Sequence, residues 1–445
     1  MQEVLVLGAG RVARPLVRYL LDQGNIQVTV VDQAVSQADA LVAGHPHGTT
    51  QSVNIDDRSK LGALIRSHDL AVSLLPAALH PTVAELCISH KKHMVTTSYV
   101  SPAMKALDGP AKDAGVMLLN ETGLDPGIDH MSAMKIIHDV QDRGGKVVSF
   151  KSYCGGLPAP DCNDNPWGYK FSWSPHAVCT ACKNAADYQL EGKKIHVPGR
   201  DLFTDCTPGM NIAGVGELEA YPNRDSLSYI DLYGLTGIDT MMRCTLRYPG
   251  WCETMKSVVD LGLLDEVTTT YPVGTTFADF MATFVTGGSG SDIRGRVADH
   301  LGIEASSAVM QRFEWLGLFS NDAIPMTGRE TTPLDILANR MAERMSYGEN
   351  ERDMVVLRHE FRATFPSGPD ERIVSTLIEF GRIGGDSAMA RTVSLPSAVA
   401  AKLVLSGQIR AAGVQIPVLP EIYDPVLTEL AGMGVACVEQ TLRER

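Results

Sequence analysis

Two glycines, an alanine and an acid carry the first chemistry legible in this chain. The apolar run Val4-Leu5-Val6-Leu7 ends in Gly8-Ala9-Gly10-Arg11-Val12-Ala13, and a second β-branched run, Val28-Thr29-Val30-Val31, ends in Asp32, 22 residues after Gly10. A Gly-x-Gly-x-x-Ala turn between a strand and a helix suits a pyrophosphate. Gly8 permits the tight turn, Gly10 lets the backbone approach the phosphates, and Ala13 keeps the helix close to the sheet. The helix N-terminus adds free N–H groups and a positive dipole end. Asp32 is placed to accept hydrogen bonds from a ribose diol and would repel a 2′-phosphate. Together these residues predict a bound nicotinamide dinucleotide, NAD rather than NADP on the plain reading.

Other side chains fall where they would face such a cofactor. Thr96-Thr97-Ser98-Tyr99 closes an expected core strand, and its hydroxyls either meet a nicotinamide ribose or substrate carboxylate or satisfy their own turn. Gly123-Leu124-Asp125-Pro126-Gly127 sets a carboxylate at the same edge. Asp125 reads as a helix N-cap with Pro126 as the first helical residue, a placement compatible with facing a substrate. Ser152-Tyr153-Cys154-Gly155-Gly156 ends a strand in small residues that let a ligand or another backbone come close, with Cys154 either a soft acid/base or a packed thiol. Arg224, in Tyr221-Pro222-Asn223-Arg224-Asp225-Ser226, and Arg247, in Thr245-Leu246-Arg247-Tyr248, suit bidentate capture of carboxylates. An Arg224–Asp225 pair is the alternative for the first. Cys179-Thr180-Ala181-Cys182 lacks a second pair at zinc spacing and reads as two helix-face cysteines. The twelve histidines form no HxH or HExxH, His45 and His47 read as solvated, and no metal is assigned.

These residues need a scaffold. Strands expected over 53–56, 70–75, 94–98 and 116–120 alternate with helices over 60–67, 83–90 and 102–114, which predicts a parallel sheet with helices on both faces. Ligands then bind at the carboxyl ends of the strands, near Leu75-Pro76, Thr97-Ser98-Tyr99 and Gly123 to Pro126. From about residue 127 the texture changes to a helix over 129–142, strands over 149–154, 242–248, 353–361 and 374–380, and helical patterns over 251–318. Ser394-Leu395-Pro396 opens an apolar helix over 397–405, closed by Gly407, that is expected to return to the nucleotide domain.

Composition bounds the partners. A length of 445 residues suggests two or three domains, and 44% hydrophobic with 20% charged residues suits a soluble globular protein. A net charge of −13 argues against nucleic acid and anionic membrane as bulk partners. There is no uninterrupted apolar run of about 18 residues, so no transmembrane span is expected. The first strand begins at Val4, which leaves no room for a leader, and nine scattered cysteines do not resemble a disulfide framework. A cytoplasmic protein is expected.

Longer strings carry a resemblance. His93-Met94-Val95-Thr96-Thr97-Ser98-Tyr99-Val100-Ser101-Pro102, Gly123-Leu124-Asp125-Pro126-Gly127-Ile128-Asp129-His130, Ser152 to Pro160, Tyr169-Lys170-Phe171-Ser172-Trp173-Ser174-Pro175, Tyr221 to Ser226, Thr245 to Tyr248, Glu314-Trp315-Leu316-Gly317-Leu318 and Ser387-Ala388-Met389-Ala390 resemble the L-glutamate-forming saccharopine dehydrogenases, also called saccharopine reductases. The resemblance is nearly end to end and weakest over 255–310. It implies an α/β fold: a Rossmann dinucleotide-binding domain (1–126 and 394–445), a mixed α/β substrate and dimerisation domain (127–250 and 319–393) and a small all-helical insertion (251–318), assembled as a homodimer. The implied reaction oxidises saccharopine, with water, to L-glutamate and 2-aminoadipate 6-semialdehyde. By matched motif the substrate residues are Ser98, Tyr99, Asp125, Arg224, Thr245, Leu246 and Arg247. The cofactor residues are Gly8, Gly10, Arg11, Val12, Asp32, Ile55, Leu75, Thr97, Ser98, Leu124, Asp125, Pro126 and Ser174. Asp125, Tyr99 and Cys154 are the candidates for moving protons, directly or through ordered water.

Fungal members of the family use NADPH and carry an arginine after the second strand, where this chain has Asp32-Gln33 with no adjacent Arg or Lys. NAD is therefore expected, with NADP as the alternative. Two rival functions remain: a related oxidoreductase such as a carboxynorspermidine dehydrogenase, and a non-catalytic NAD sensor. Tyr99, Asp125, Cys154 and both arginines speak against the sensor.

Overall fold

β-branched runs joined by helical crossovers can only pair in parallel, and the first 120 residues do so. In the computed structural model, which describes residues 1–286, 292–325 and 327–444, these are β1 (Gln2–Leu7), β2 (Ile26–Asp32), β3 (Gly48–Ser52), β4 (Leu70–Ser73), β5 (His93–Thr96) and β6 (Met117–Leu119). The sheet order is Gly413–Gln415, β6, β5, β4, β1, β2, β3, parallel throughout. Strand order reverses at β1, so a crevice for a ligand lies outside the carboxyl ends of β1 and β4.

The third strand is Gly48–Ser52, not 53–56. As the sheet's outermost strand it is polar and largely exposed, and so carries no apolar signal. Val53 and Ile55, which suggested a strand, are loop residues buried in the core beneath the sheet. The helix expected over 102–114 is two helices, Pro102–Lys105 and Asp108–Ala114. Pro110 has no N–H to give to Ala106, and restarting the helix at Asp108 places this proline in a first turn, where none is needed.

The apolar C-terminal helix begins at Ala388, not 397, and runs to Leu405 with Pro396 inside it. Ser387 caps it by accepting from the Ala390 N–H at 3.0 Å. It packs against the helix Ala13–Leu21 and against β4 and β5, as the expected return to the nucleotide domain requires. Ser397 Oγ donates to the Thr122 carbonyl at 2.8 Å, which ties the helix to the loop after β6. By length and composition this helix would cross a membrane, but 83% of it is buried inside the protein, as a core helix is.

Two units separate: Met1–Val147 with Leu357–Arg445, and Val148–Val356. These bounds differ from the expected 1–126 with 394–445. The helix Ile128–Asp142 packs on Pro420–Gly432, and Asp370–Phe380 pairs antiparallel with Val438–Glu444, so these segments join the nucleotide-binding unit. The expected third body, 251–318, falls inside the second unit, with 287–291 outside the described residues. There the helices Trp251–Asp260, Phe277–Ala282, Ile293–Leu301 and Ala308–Leu316 form.

Within the second unit, Thr240–Arg247 pairs parallel with Lys146–Pro158 and antiparallel with Gly216–Pro222. Lys146–Pro158 is thirteen residues long, so Gly155 and Gly156 lie in the strand rather than in a loop after it. A Cβ at Gly155 would sit 2.7 Å from the Leu246 carbonyl, so this small residue admits a neighbouring strand. The helix holding Cys179 ends at Ala181; Cys182 caps it, and both thiols are packed in the interior.

One glycine decides the entrance to the helix Ile128–Asp142. Gly127 has φ +149°, and a Cβ there would overlap the Gly123 carbonyl. Gly127→Ala is expected to destabilise the protein by about 3 kcal/mol or more, read from urea unfolding. A loss under about 1 kcal/mol would mean that the turn relaxes.

Candidate active site

The glycine turn is built as phosphate chemistry requires. Gly8 N–H donates to the Val31 carbonyl at 2.8 Å, and Leu74 N–H to Leu7 at 2.8 Å, so the ends of β1, β2 and β4 are locked together. Val12 stands at the N-cap of Ala13–Leu21 and makes no side-chain cap; Ala13 N–H bonds the Gly10 carbonyl at 3.0 Å, and Pro15 has no N–H to offer. A Cβ on Gly10 would meet nothing within 4 Å. The protein's own packing therefore does not demand glycine at this position, whereas close approach of a pyrophosphate does. Asp32 accepts from Ala9 N–H at 2.8 Å through Oδ2 and from Ala34 N–H at 2.9 Å through Oδ1, which fixes its carboxylate beside the turn. Ile55 and Leu75 follow β3 and β4 at the same edge. These features fit a dinucleotide.

The loop after β5 is held by a buried acid. Glu121 N–H donates to the Ser98 carbonyl at 3.1 Å, and Glu121 Oε1 accepts from Val100 N–H at 2.9 Å. Its other oxygen, Oε2, pairs with His130 Nε2 at 2.7 Å. Thr97, Ser98 and Tyr99 are thereby fixed against the segment that carries Leu124, Asp125 and Pro126. The Tyr99 hydroxyl donates to Asp125 Oδ1 at 3.1 Å. Asp125 is not the N-cap of the following helix. That position belongs to Gly127, whose N–H is taken by Asp129, and the helix starts at Ile128. The correction sharpens the site, because Asp125 meets a site tyrosine instead of a helix end. Beneath the loop, His80 bonds Ser98 Oγ at 2.8 Å through Nε2 and Ser73 Oγ at 2.9 Å through Nδ1. Burial pushes its pKa down to about 4, so the ring is neutral.

The remaining expected residues, Cys154, Ser174, Arg224, Thr245, Leu246 and Arg247, lie in the second unit. Strand register puts Tyr221, Thr245 and Cys154 in one row across three strands, hence on one face, with Arg247 two residues on from Thr245 on that same face. Leu246 points the other way. Arg224 is exposed at φ +52°. The Asp225 carboxylate accepts from Leu227 N–H at 2.8 Å. Ser174 caps Pro175–Ala181 by accepting from Ala177 N–H at 3.3 Å.

Arg247 is the unusual group. It is 5% exposed, its Nη1 donates to the Leu246 carbonyl at 2.7 Å, and its Nε has no hydrogen-bond partner among the described residues. The guanidinium carbon lies 4.8 Å from the ring centre of Tyr169, 5.3 Å from Trp251 and 5.9 Å from Tyr221. Tyr169 OH and Trp251 Nε1 are likewise buried and unpartnered among the described residues. Burial pushes the Tyr169 and Tyr221 phenols up despite the opposing pull of Arg247, so neither neutralises the cation. No acid pairs with Arg247 among the described residues. A buried charge without a counter-ion costs several kcal/mol, and an arriving carboxylate would remove that cost.

Comparison with known proteins identifies the family. A family model described as the saccharopine dehydrogenase NADP binding domain matches residues 4–119, and one described as the saccharopine dehydrogenase C-terminal domain matches 123–435. The chain belongs to the saccharopine dehydrogenase family. An NADP(+), L-glutamate-forming saccharopine dehydrogenase of Pyricularia oryzae is 41% identical over 99% of both chains. The mitochondrial alpha-aminoadipic semialdehyde synthase of Bos taurus is 38% identical over 99% of this chain and 48% of its own length. The solved structure of the apo L-Glu-forming saccharopine dehydrogenase of Saccharomyces cerevisiae matches with a TM-score of 0.89 at 38% identity, over 99% of this chain and all of that one. Family membership makes the chain an oxidoreductase that uses a nicotinamide dinucleotide.

Sequence reasoning missed His80, Glu121 and His130 beneath the site, and Tyr169 and Trp251 around Arg247. No motif marks His80 or Glu121, whereas His130 closes the string Gly123 to His130 that carries the resemblance. Tyr169 opens the string Tyr169 to Pro175, and Trp251 follows Tyr248 by three residues. Because Gly10 is set by ligand approach and not by packing, Gly10→Ala is expected to leave the melting temperature unchanged or slightly raised. NADH affinity, by fluorescence titration, should fall about tenfold or more. Unchanged affinity would remove the turn from the cofactor site.

Proposed function

We propose that this chain oxidises saccharopine, with water, to L-glutamate and 2-aminoadipate 6-semialdehyde, and that NAD⁺ is its preferred oxidant. The observation that carries the substrate class is the uncompensated Arg247 guanidinium in its aromatic surround. Saccharopine has three carboxylates, and Arg247 with Arg224 offers cations to two of them in a chain whose net charge is −13.

When bound, a nicotinamide dinucleotide supplies the hydride acceptor for the carbon beside the secondary amine. The chain's own residues orient the substrate and move protons. The hydrogen-bonded pair Tyr99 and Asp125 is suited to take the amine proton as the C=N bond forms, and to exchange protons with the water that adds to that carbon. Collapse of the carbinolamine then breaks the C–N bond and releases glutamate. Cys154, 7% exposed on its strand, is not needed for this sequence.

The cofactor preference rests on Asp32. Two backbone N–H groups hold its carboxylate, so it does not swing aside for a 2′-phosphate, and Gln33-Ala34-Val35-Ser36-Gln37 brings no cation to balance one. The proposed preference differs from the cofactor in the names of the NADP(+) relatives.

Purified protein given saccharopine should form glutamate together with reduced cofactor, with kcat/KM for NAD⁺ about tenfold or more above NADP⁺. No glutamate would defeat the activity, and equal use of NADP⁺ would defeat the preference alone. Arg247→Met should raise KM for saccharopine about 30-fold or more. The unliganded variant should be at least as stable as the parent, because a buried unpaired charge has been removed. An unchanged KM would assign the carboxylate elsewhere.

A further inference from the structure

The Rossmann unit contains a buried histidine that none of the chemistry above uses. His80 opens the helix His80–Ser89 and is 2% exposed. Three hydroxyls surround its ring: Ser73 Oγ at 2.9 Å from Nδ1, Ser98 Oγ at 2.8 Å and Thr96 Oγ1 at 3.2 Å from Nε2. Ser73 and Thr96 are buried ends of β4 and β5, and Ser98 is half-buried on the site loop beside Tyr99.

The partners select a tautomer. Ser73 is the one hydroxyl at Nδ1 while Nε2 faces two, so we infer the arrangement in which Ser73 donates to Nδ1 and one Nε2–H serves both Ser98 and Thr96. Nδ1 therefore accepts, and the neutral ring carries its hydrogen on Nε2. One N–H can serve two oxygens, as the Ser98 and Thr96 distances require, whereas a single lone pair receives one O–H well. Ser98 Oγ then accepts from His80, and its own proton is left to point outward from the loop.

The geometry points to His80 as a positioning residue that holds the Ser98 hydroxyl as a hydrogen-bond donor to an acceptor oxygen of the bound ligand. That oxygen is a substrate carboxylate or a cofactor carboxamide. Ser73 sets the ring, the ring sets Ser98, and β4 and β5 hold both in register. The inference rests on the proposed activity for its kinetic arm only, since dinucleotide binding reads the same loop without turnover.

Two conservative variants separate positioning from structural support. The Gln amide nitrogen can occupy the place of Nε2 and reach Ser98, while Asn mimics Nδ1 and reaches only Ser73. His80→Asn should therefore reproduce Ser98→Ala, with a loss of about 10-fold or more. The loss falls in KM for saccharopine if the oxygen is a carboxylate, and in NADH affinity if it is a carboxamide. His80→Gln should recover most of that loss, and His80→Asn should add nothing in a Ser98→Ala background. Melting temperatures recorded alongside separate folding from function. The inference is overturned if the His80→Asn and Ser98→Ala losses multiply, if Gln is no better than Asn, or if His80→Asn changes neither quantity. A parent protein that binds NADH but does not turn over saccharopine would refute the activity instead, and the His80 cycle is then read from NADH affinity.

Discussion

A single buried carboxylate holds the site half of the nucleotide-binding unit together. Glu121 receives the Val100 N–H on one oxygen and faces the fully buried His130 imidazole with the other, while its own N–H bonds the Ser98 carbonyl. A charge taken out of water persists only where its partners are in place, so these bonds must form together. Their joint effect is to clamp the loop after β5 onto the segment that leads into the helix Ile128–Asp142. Ser98, Tyr99 and Asp125 inherit their positions from that clamp. The accompanying φ of +59° at Glu121, a conformation non-glycine residues rarely adopt, is sustained by the same set of bonds.

The second unit meets the electrostatic problem in the opposite way. Where Glu121 is surrounded by donors, Arg247 is surrounded by ring faces, a thin substitute for a counter-ion. The first arrangement is complete in the protein alone and gives rigidity. The second is left incomplete by the described residues, and under the proposed function a substrate carboxylate completes it. A substrate with three carboxylates suits such a design, and a chain of net negative charge needs it.

Much of the fold was legible because its signals are local. Apolar runs broken by turn residues gave five of the first six strands in approximately the right place, and the failures have specific causes. β3 is a polar outer strand and has no apolar pattern to detect, while Val53 and Ile55 are buried loop residues that imitate one. Pro396 signals a helix start, yet it sits inside a buried helix whose tertiary contacts outweigh the lost hydrogen bond. Asp125 before a proline and a glycine looks like an N-cap, but the following helix is entered at Gly127 and capped without it.

What the sequence determined by itself is the set of groups whose roles depend on covalent neighbours. The turn from Gly8 to Ala13, Asp32 at the end of its strand, and Arg247 in its acid-poor segment are legible in this way. Only the tertiary structure decided what each of these groups faces. His80 is 18 residues from Ser98 and 7 from Ser73, and it acquires meaning only because β4 and β5 lie side by side. Among the described residues Arg247 has no counter-ion, because Tyr169, Tyr221 and Trp251, drawn from three separate segments, close around it. Desolvation is a property of the enclosing volume. It is set by residues distant along the chain, and no local pattern of residue types encodes it.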